Sequence, residues 1–118
     1  MKLAIVRIAD RGSLDERLHL RVLADTNLSY YVVLNTTYLD PGRVDAGAKG
    51  AYWFAPTPVK AGDTVVLCSR SGAQGQTKNA DGTTNYFFFW GFPQPVWNST
   101  GKCVVVMEMN TWQTSPYE

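Results

Sequence analysis

Residues 17–23 read RLHLRVL, and this alternation of polar and apolar side chains decides the fold class. A β-strand points successive side chains to opposite faces of its sheet, so alternation is typical of a strand with one buried face. We therefore expect Leu18, Leu20 and Val22 to face a core. The polar positions form a basic stripe on the outer face, which consists of Arg17, His19 and Arg21.

Six further segments are rich in strand-favouring residues, which gives about seven strands in all. They are residues 2–8, 28–38, 51–54, 64–68, 83–90 and 102–109. Turn-forming sequences separate them, among them the Gly/Ser/Gln/Asn-rich loop of residues 69–82. No segment has the period of about 3.6 residues that indicates an amphipathic helix. We predict a single all-β domain over residues 1–118, an immunoglobulin-like antiparallel β-sandwich.

The turn at residues 61–63 carries a specific structural prediction. Gly62 should adopt a positive φ, because the chain must reverse there before the strand at residues 64–68. One face of that strand should then pack against Val105 and Met107 of the last strand.

The composition points away from an enzyme. Apolar residues make up 45% and charged residues 18% of the chain, which excludes an intrinsically disordered protein. Two cysteines and one histidine are too few for a zinc site of four thiolates and leave little for histidine-based catalysis. We therefore expect no catalytic residue, no cofactor and no metal ion.

The chain shows no signal peptide and no apolar run of the roughly 18 residues that a membrane helix requires. These features predict a cytoplasmic protein without a membrane partner. In that reducing compartment Cys68 and Cys103 should be free thiols rather than a disulfide.

Aromatic residues are the strongest candidates for a binding surface. The strand at residues 83–90 has rings on both faces, although a sandwich strand turns only one face to the core. Either a loop such as residues 69–82 covers the second set, or these rings form an exposed patch for a partner or a second copy. Sugar stacking is a further alternative. The candidate interface consists of Trp53, Phe87, Phe89, Trp90, Trp97 and Trp112.

The basic stripe could contact phosphate groups. However, Asp15 and Glu16 precede it, and eleven basic against ten acidic residues leave a net charge of only +1. We interpret the stripe as a solvated strand face, and we expect neither a nucleic-acid partner nor a metal bound at His19.

The second half of the chain carries a family resemblance. Residues 52–56 (YWFAP), 59–66 (VKAGDTVV) and 97–102 (WNSTGK), followed by three valines at 104–106, resemble the lamin tail domain over about residues 52–109. The resemblance implies an immunoglobulin-like sandwich that binds proteins or DNA or acts as a spacer, and it transfers no catalytic residue. The chain has neither a coiled-coil rod nor a basic nuclear-localisation run, so the nuclear role of lamins does not carry over.

These observations together predict a non-catalytic binding or assembly module that acts through exposed aromatic residues. Its partner would be another protein or a second copy of the chain. One alternative is an accessory domain that binds carbohydrate or nucleic acid. Another is a small enzyme whose site the sequence does not reveal.

Overall fold

The chain folds almost entirely into β-strands in the part that the structure describes, residues 1–47 and 50–117 of a computed structural model. Eleven strands and one turn of 3₁₀ helix, Leu28–Tyr30, occur in this part. The strands are β1 (Leu3–Ala9), β2 (Arg17–Val22), β3 (Thr26–Asn27), β4 (Tyr31–Asp40), β5 (Arg43–Val44), β6 (Gly50–Trp53), β7 (Pro58–Val59), β8 (Thr64–Cys68), β9 (Gly75–Lys78), β10 (Thr84–Phe89) and β11 (Lys102–Glu108).

The all-β prediction is confirmed, with eleven strands in place of about seven. Each predicted strand overlaps one of the longer observed strands. The additional strands are short: β3, β5 and β7 have two residues each, and β9 has four. Such segments are too short for alternation to show. β9 lies inside residues 69–82, which we predicted to be a loop throughout.

Nine of these strands form two sheets. One has five strands in the order β1-β2-β8-β10-β9, and the other has β4 between β11 on one side and β5 and β6 on the other. β3 and β7 form a separate two-stranded pair. All pairs are antiparallel except β8 with β10, which departs from the antiparallel arrangement that we predicted. A parallel pair needs a long connection, and here residues 69–83 provide it and include β9, which pairs with the other edge of β10.

The core lies between the inner faces of the two sheets, as a sandwich requires. Leu18, Leu20 and Val22 are buried there, as the alternation in β2 predicted. The buried apolar cluster consists of Leu3, Leu18, Leu20, Val22, Leu28, Tyr31, Val33, Phe54, Val59, Val65, Leu67, Phe88 and Trp97.

The last strand turns the opposite face to the core from the one that we expected. Val65 and Leu67 of β8 are buried, but Val104 and Val106 pack against the core instead of Val105 and Met107. The cause is the register between β11 and β4, which places Val106 opposite the buried Val33. A shift of one residue exchanges the two faces of a strand.

The turn before β8 has the predicted geometry. Gly62 has φ +92°, which confirms the positive φ. The next residue, Asp63, is buried, and its carboxylate accepts hydrogen bonds from Lys60 N at 2.9 Å and Thr84 N at 2.9 Å. Asp63 therefore joins this turn to the start of β10.

A buried carboxylate joins three loops at one end of the sandwich. Glu16 is fully buried, and its carboxylate accepts hydrogen bonds from Gly12 N at 3.0 Å, Ser69 Oγ at 2.6 Å and Val96 N at 2.8 Å. Trp97 N lies 3.2 Å from both carboxylate oxygens. Glu16 therefore positions residues far apart in the sequence, and it is not a solvated neighbour of the basic stripe.

Candidate functional site

The outer face of the four-stranded sheet is apolar in the three strands that pair side by side. Alternate residues of these strands, such as Val33, Tyr52 and Val106, pack on the inner side. The residues between them must therefore point outward. The outward residues are Val32 and Leu34 of β4, Ala51 and Trp53 of β6, and Cys103, Val105 and Met107 of β11.

The apolar surface continues toward the far end of β4. Tyr38 lies an even number of residues after Val32 and Leu34, so it shares their face, and it pairs with Val44 of β5. Tyr38 and Val44 are 50% and 40% exposed. The intervening Thr36 is buried, and its hydroxyl donates a hydrogen bond to the Asp45 carbonyl.

Two tryptophans stand at the near end of this surface. Trp53 and Trp112 are 47% and 58% exposed, and their rings meet edge to face with centroids 4.8 Å apart. Trp53 Nε1 donates a hydrogen bond to the Ser29 carbonyl at 2.8 Å, which holds its ring in place. A cleft of about 420 Å³ lies beside them, lined by Ser29, Trp53, Phe54, Ala55, Pro56 and Trp112.

We call this surface the apolar face, and it comprises Val32, Leu34, Tyr38, Val44, Ala51, Trp53, Cys103, Val105, Met107 and Trp112. None of these side chains carries a charge. Exposed apolar surface of this kind often marks an interaction site.

Trp97 does not lie on a surface, so its inclusion in the candidate interface was wrong. Its side chain is 1% exposed, and its Nε1 donates a hydrogen bond to the Cys103 carbonyl at 3.1 Å. Trp90 is half-buried and packs against Trp97, Phe92 and Tyr52. These two tryptophans are held in the core by the loop that Glu16 positions, so they stabilise the fold.

Phe87 and Phe89 lie on the outer face of the five-stranded sheet and are half-buried. The backbone at Gly72 crosses Phe89 so closely that a Cβ there would clash with the ring. The Arg70 guanidinium carbon lies 5.1 Å from the ring centroid. The loop after β8 therefore covers Phe89, which agrees with the first of the two interpretations of residues 83–90.

The basic stripe lies on the same outer face, next to Arg7 of β1. Arg21 is exposed, and Arg17 forms a salt bridge with Asp10 at 2.7 Å. His19 is half-buried, and its Nε2 is buried without a hydrogen-bond partner in the described part of the chain. Burial, together with the charges of Arg7 and Arg17, lowers the pKa of His19. Burial and the two neighbouring cations therefore both favour the neutral form of the histidine.

The two cysteines belong to different sheets and are both free. Cys68 is buried in β8, and burial raises the pKa of its thiol. Cys103 is half-buried on the apolar face. Within residues 1–47 and 50–117, no group of three or more His, Cys, Asp or Glu side chains is arranged to hold a metal ion.

Comparison with protein-family models and with curated proteins finds no match for this chain. The resemblance to the lamin tail domain therefore stays a prediction that rests on the quoted motifs. None of the helical residues in the described structure forms a segment long and apolar enough to cross a membrane.

The sequence contained a signal for the apolar face that lies outside its aromatic residues. Residues 31–34 (YVVL) and 103–107 (CVVVM) are apolar at every position, so both faces of β4 and β11 are apolar. A strand with one solvated face alternates instead, as β2 does. Uninterrupted apolar strands in the same sheet indicate a second buried or partnered face.

Proposed function

We propose that this protein is a non-catalytic binding or assembly module that docks a protein surface on its apolar face. The observation that carries the proposal is that the outward residues of β6 and β11, and those of β4 as far as Tyr38, include no charged side chain. The other sheet provides the contrast, since its outer face carries Arg7, Arg17 and Arg21. Within one molecule, one sheet face is suited to solvent and the other to a partner.

The two exposed tryptophans support the same proposal. Tryptophan is enriched among the residues that contribute most to protein–protein binding. Trp53 is fixed by its hydrogen bond to Ser29 and by its contact with Trp112, so little side-chain freedom remains to be lost on binding. A rigid ring beside a cleft can anchor one side chain of a partner. The family resemblance, which implies a non-catalytic role, agrees with this.

Free thiols at Cys68 and Cys103 support a reducing compartment. We therefore include a cytoplasmic location in the proposal. In an oxidising compartment, the Cys103 thiol on the apolar face would be exposed to oxidation whenever no partner covers the face.

Affinity capture from an extract of the source organism tests the proposal, with Met107→Lys as the variant. Met107 is 46% exposed on the apolar face, so a lysine there adds charge without disturbing the core. Leu14→Lys is the matched control, since Leu14 is 66% exposed in the loop between β1 and β2. We expect that wild type and the control retain one or more proteins from the extract that Met107→Lys does not retain. Equal recovery on all three baits would contradict the proposal.

The cleft beside Trp53 and Trp112 favours carbohydrate binding as a second candidate. Its volume of about 420 Å³ lies within the usual range of small-molecule sites, and Trp112 presents an exposed ring on which a sugar could stack. Titration of tryptophan fluorescence with a set of monosaccharides and disaccharides tests this, with Trp112→Ala as the variant. A saturable change in wild type that the variant loses would support it, and an unchanged spectrum with every sugar would exclude it for that set.

A further inference from the structure

We infer that the partner of the apolar face is a second copy of the same chain, so that two sandwiches pack face to face through their four-stranded sheets. This inference rests on the proposed function and names the occupant of its site. Two sheets that meet through apolar faces pack about 10 Å apart, and the two sheets inside each copy already pack in this way.

Charge favours a second copy as the occupant. In a dimer with a twofold axis the same patch meets itself, so a patch whose charges all have one sign faces like charges. The apolar face carries no charged side chain and meets itself without repulsion. The outer face of the other sheet, with Arg7, Arg17 and Arg21, could not do so. Of the two outer faces, the apolar one is therefore the better suited to self-association.

The exposed area is appropriate for a reversible dimer. Tyr38, Trp53 and Trp112 are about half exposed, and since each ring carries about 150–250 Å² these three expose roughly 300 Å². With its aliphatic residues the face reaches roughly 500–600 Å², near the largest apolar patch of an ordinary monomer. A stable complex buries about 800 Å² per partner. If polar residues around the apolar face add to the buried area, we expect a dissociation constant on the order of micromolar to tens of micromolar.

The charged residues at the two ends of β11 do not belong to the apolar face. Lys102 and Glu108 alternate in phase with the inward Val104 and Val106. Tyr31 Oη donates a hydrogen bond to the Glu108 carboxylate at 2.6 Å on that inner side. Neither charge therefore interrupts the face that would meet a second copy.

Leu34 is the best position for a test, because it lies on β4 in the middle of the apolar face, next to Ala51. Sedimentation velocity from about 1 μM to about 1 mM covers the expected dissociation constants. Wild type and the control Leu14→Lys should shift from monomer to dimer over this range. Leu34→Lys and Leu34→Glu should each remain monomeric, with association weakened by at least about tenfold.

The mixture of the two variants is the decisive sample. An equimolar mixture of Leu34→Lys and Leu34→Glu should regain a dimer, since opposite charges then meet across the twofold axis. Circular dichroism shows whether each variant is folded. If a Leu34 variant does not fold, Met107→Lys takes its place as the variant that is expected to remain monomeric. A wild type that stays monomeric to about 1 mM overturns the inference, and so does a Leu34→Lys that dimerises like wild type.

Failure of this inference is distinguishable from failure of the proposed function. If wild type is monomeric but retains proteins that Met107→Lys loses, the second copy is wrong as the occupant and the docking face stands. If wild type dimerises and the Leu34 variants dimerise equally, the dimer uses another surface. Both ideas fail when wild type is monomeric and no protein distinguishes it from Met107→Lys.

Discussion

Replacing Glu16 by glutamine should destabilise the fold strongly, although the two side chains have nearly the same shape. The Glu16 carboxylate is fully buried and accepts hydrogen bonds from four donors. Its Oε1 accepts from Ser69 Oγ and Val96 N, its Oε2 accepts from Gly12 N, and Trp97 N lies 3.2 Å from both. A glutamine amide keeps one acceptor oxygen and replaces the other with a donor.

The structure gives the size of the effect. With the amide oxygen in the Oε1 position, the amide NH₂ faces the Gly12 N–H, and one N–H loses its acceptor at a cost of about 1–3 kcal/mol. The remaining hydrogen bonds lose the contribution of the negative charge, about 1 kcal/mol each. A neutral amide is easier to bury than a carboxylate, which offsets part of this. We expect a net loss of about 2–4 kcal/mol, a large share of a typical stability of about 5–15 kcal/mol.

Urea unfolding at neutral pH measures the loss, with Asp15→Asn as the matched control. Asp15 is the exposed neighbour of Glu16, so its variant removes one carboxylate charge without removing the network, and it should change stability by less than about 0.5 kcal/mol. Equal stability of Glu16→Gln and wild type would refute the argument, because it would mean that the four donors do not depend on a carboxylate.

The pH dependence of the same pair of proteins gives a second measurement. Burial alone would raise the pKa of Glu16, but the hydrogen bonds from Ser69, Gly12, Val96 and Trp97 outweigh it and hold the pKa below its usual value of 4.5. A depressed pKa in the folded state stabilises the protein above the unfolded pKa, and this stabilisation is lost as pH falls through the folded pKa. The difference between wild type and Glu16→Gln should therefore be full at neutral pH and shrink in acid below 4.5. A difference that stays constant through that range would contradict the assignment.

Two further predictions concern β8 and the turn before it. Gly62→Val should lower stability by at least about 1–2 kcal/mol in urea melts, since Gly62 has φ +92° and a Cβ there would lie 3.2 Å from Thr83 Cγ2. Gly75→Val is the control, because nothing lies within 4 Å of a Cβ at that position, and a loss as large as that of Gly62→Val would show that the turn is not special. The Cys68 thiol should react with an alkylating reagent at least about tenfold more slowly in the folded protein than in urea, because it is buried and burial raises its pKa. Mass spectrometry of the labelled peptide follows this reaction, and equal rates would mean that β8 is open to solvent.

The aromatic residues of the sequence predicted only part of the apolar face. Trp53 and Trp112 were candidates from the sequence, and they mark one end of the face. Trp97 was chosen on the same grounds, and it is buried because the loop before it is held by Glu16. Alternation is a property of several consecutive residues. The presence of one aromatic residue therefore does not indicate whether its side chain is buried or exposed.

The sequence alone determined the longer strands and the turn before β8, because these depend on neighbours along the chain. Alternation placed Leu18 and Leu20 on one side of β2, and the need for a positive φ placed a glycine at position 62. Both signals act within a few residues, since side chains alternate with a period of two and a left-handed φ is a property of one residue.

Only the tertiary structure decided which faces are covered. The parallel pairing of β8 with β10, the register that turns Val106 inward and Met107 outward, and the burial of Glu16 all depend on residues distant in the sequence. β4 and β11 are apolar on both sides, so the sequence of either strand is compatible with either face being inside. The choice between the two faces is made by long-range pairing and packing, and for that reason only the folded chain shows which of the two apolar faces stays exposed.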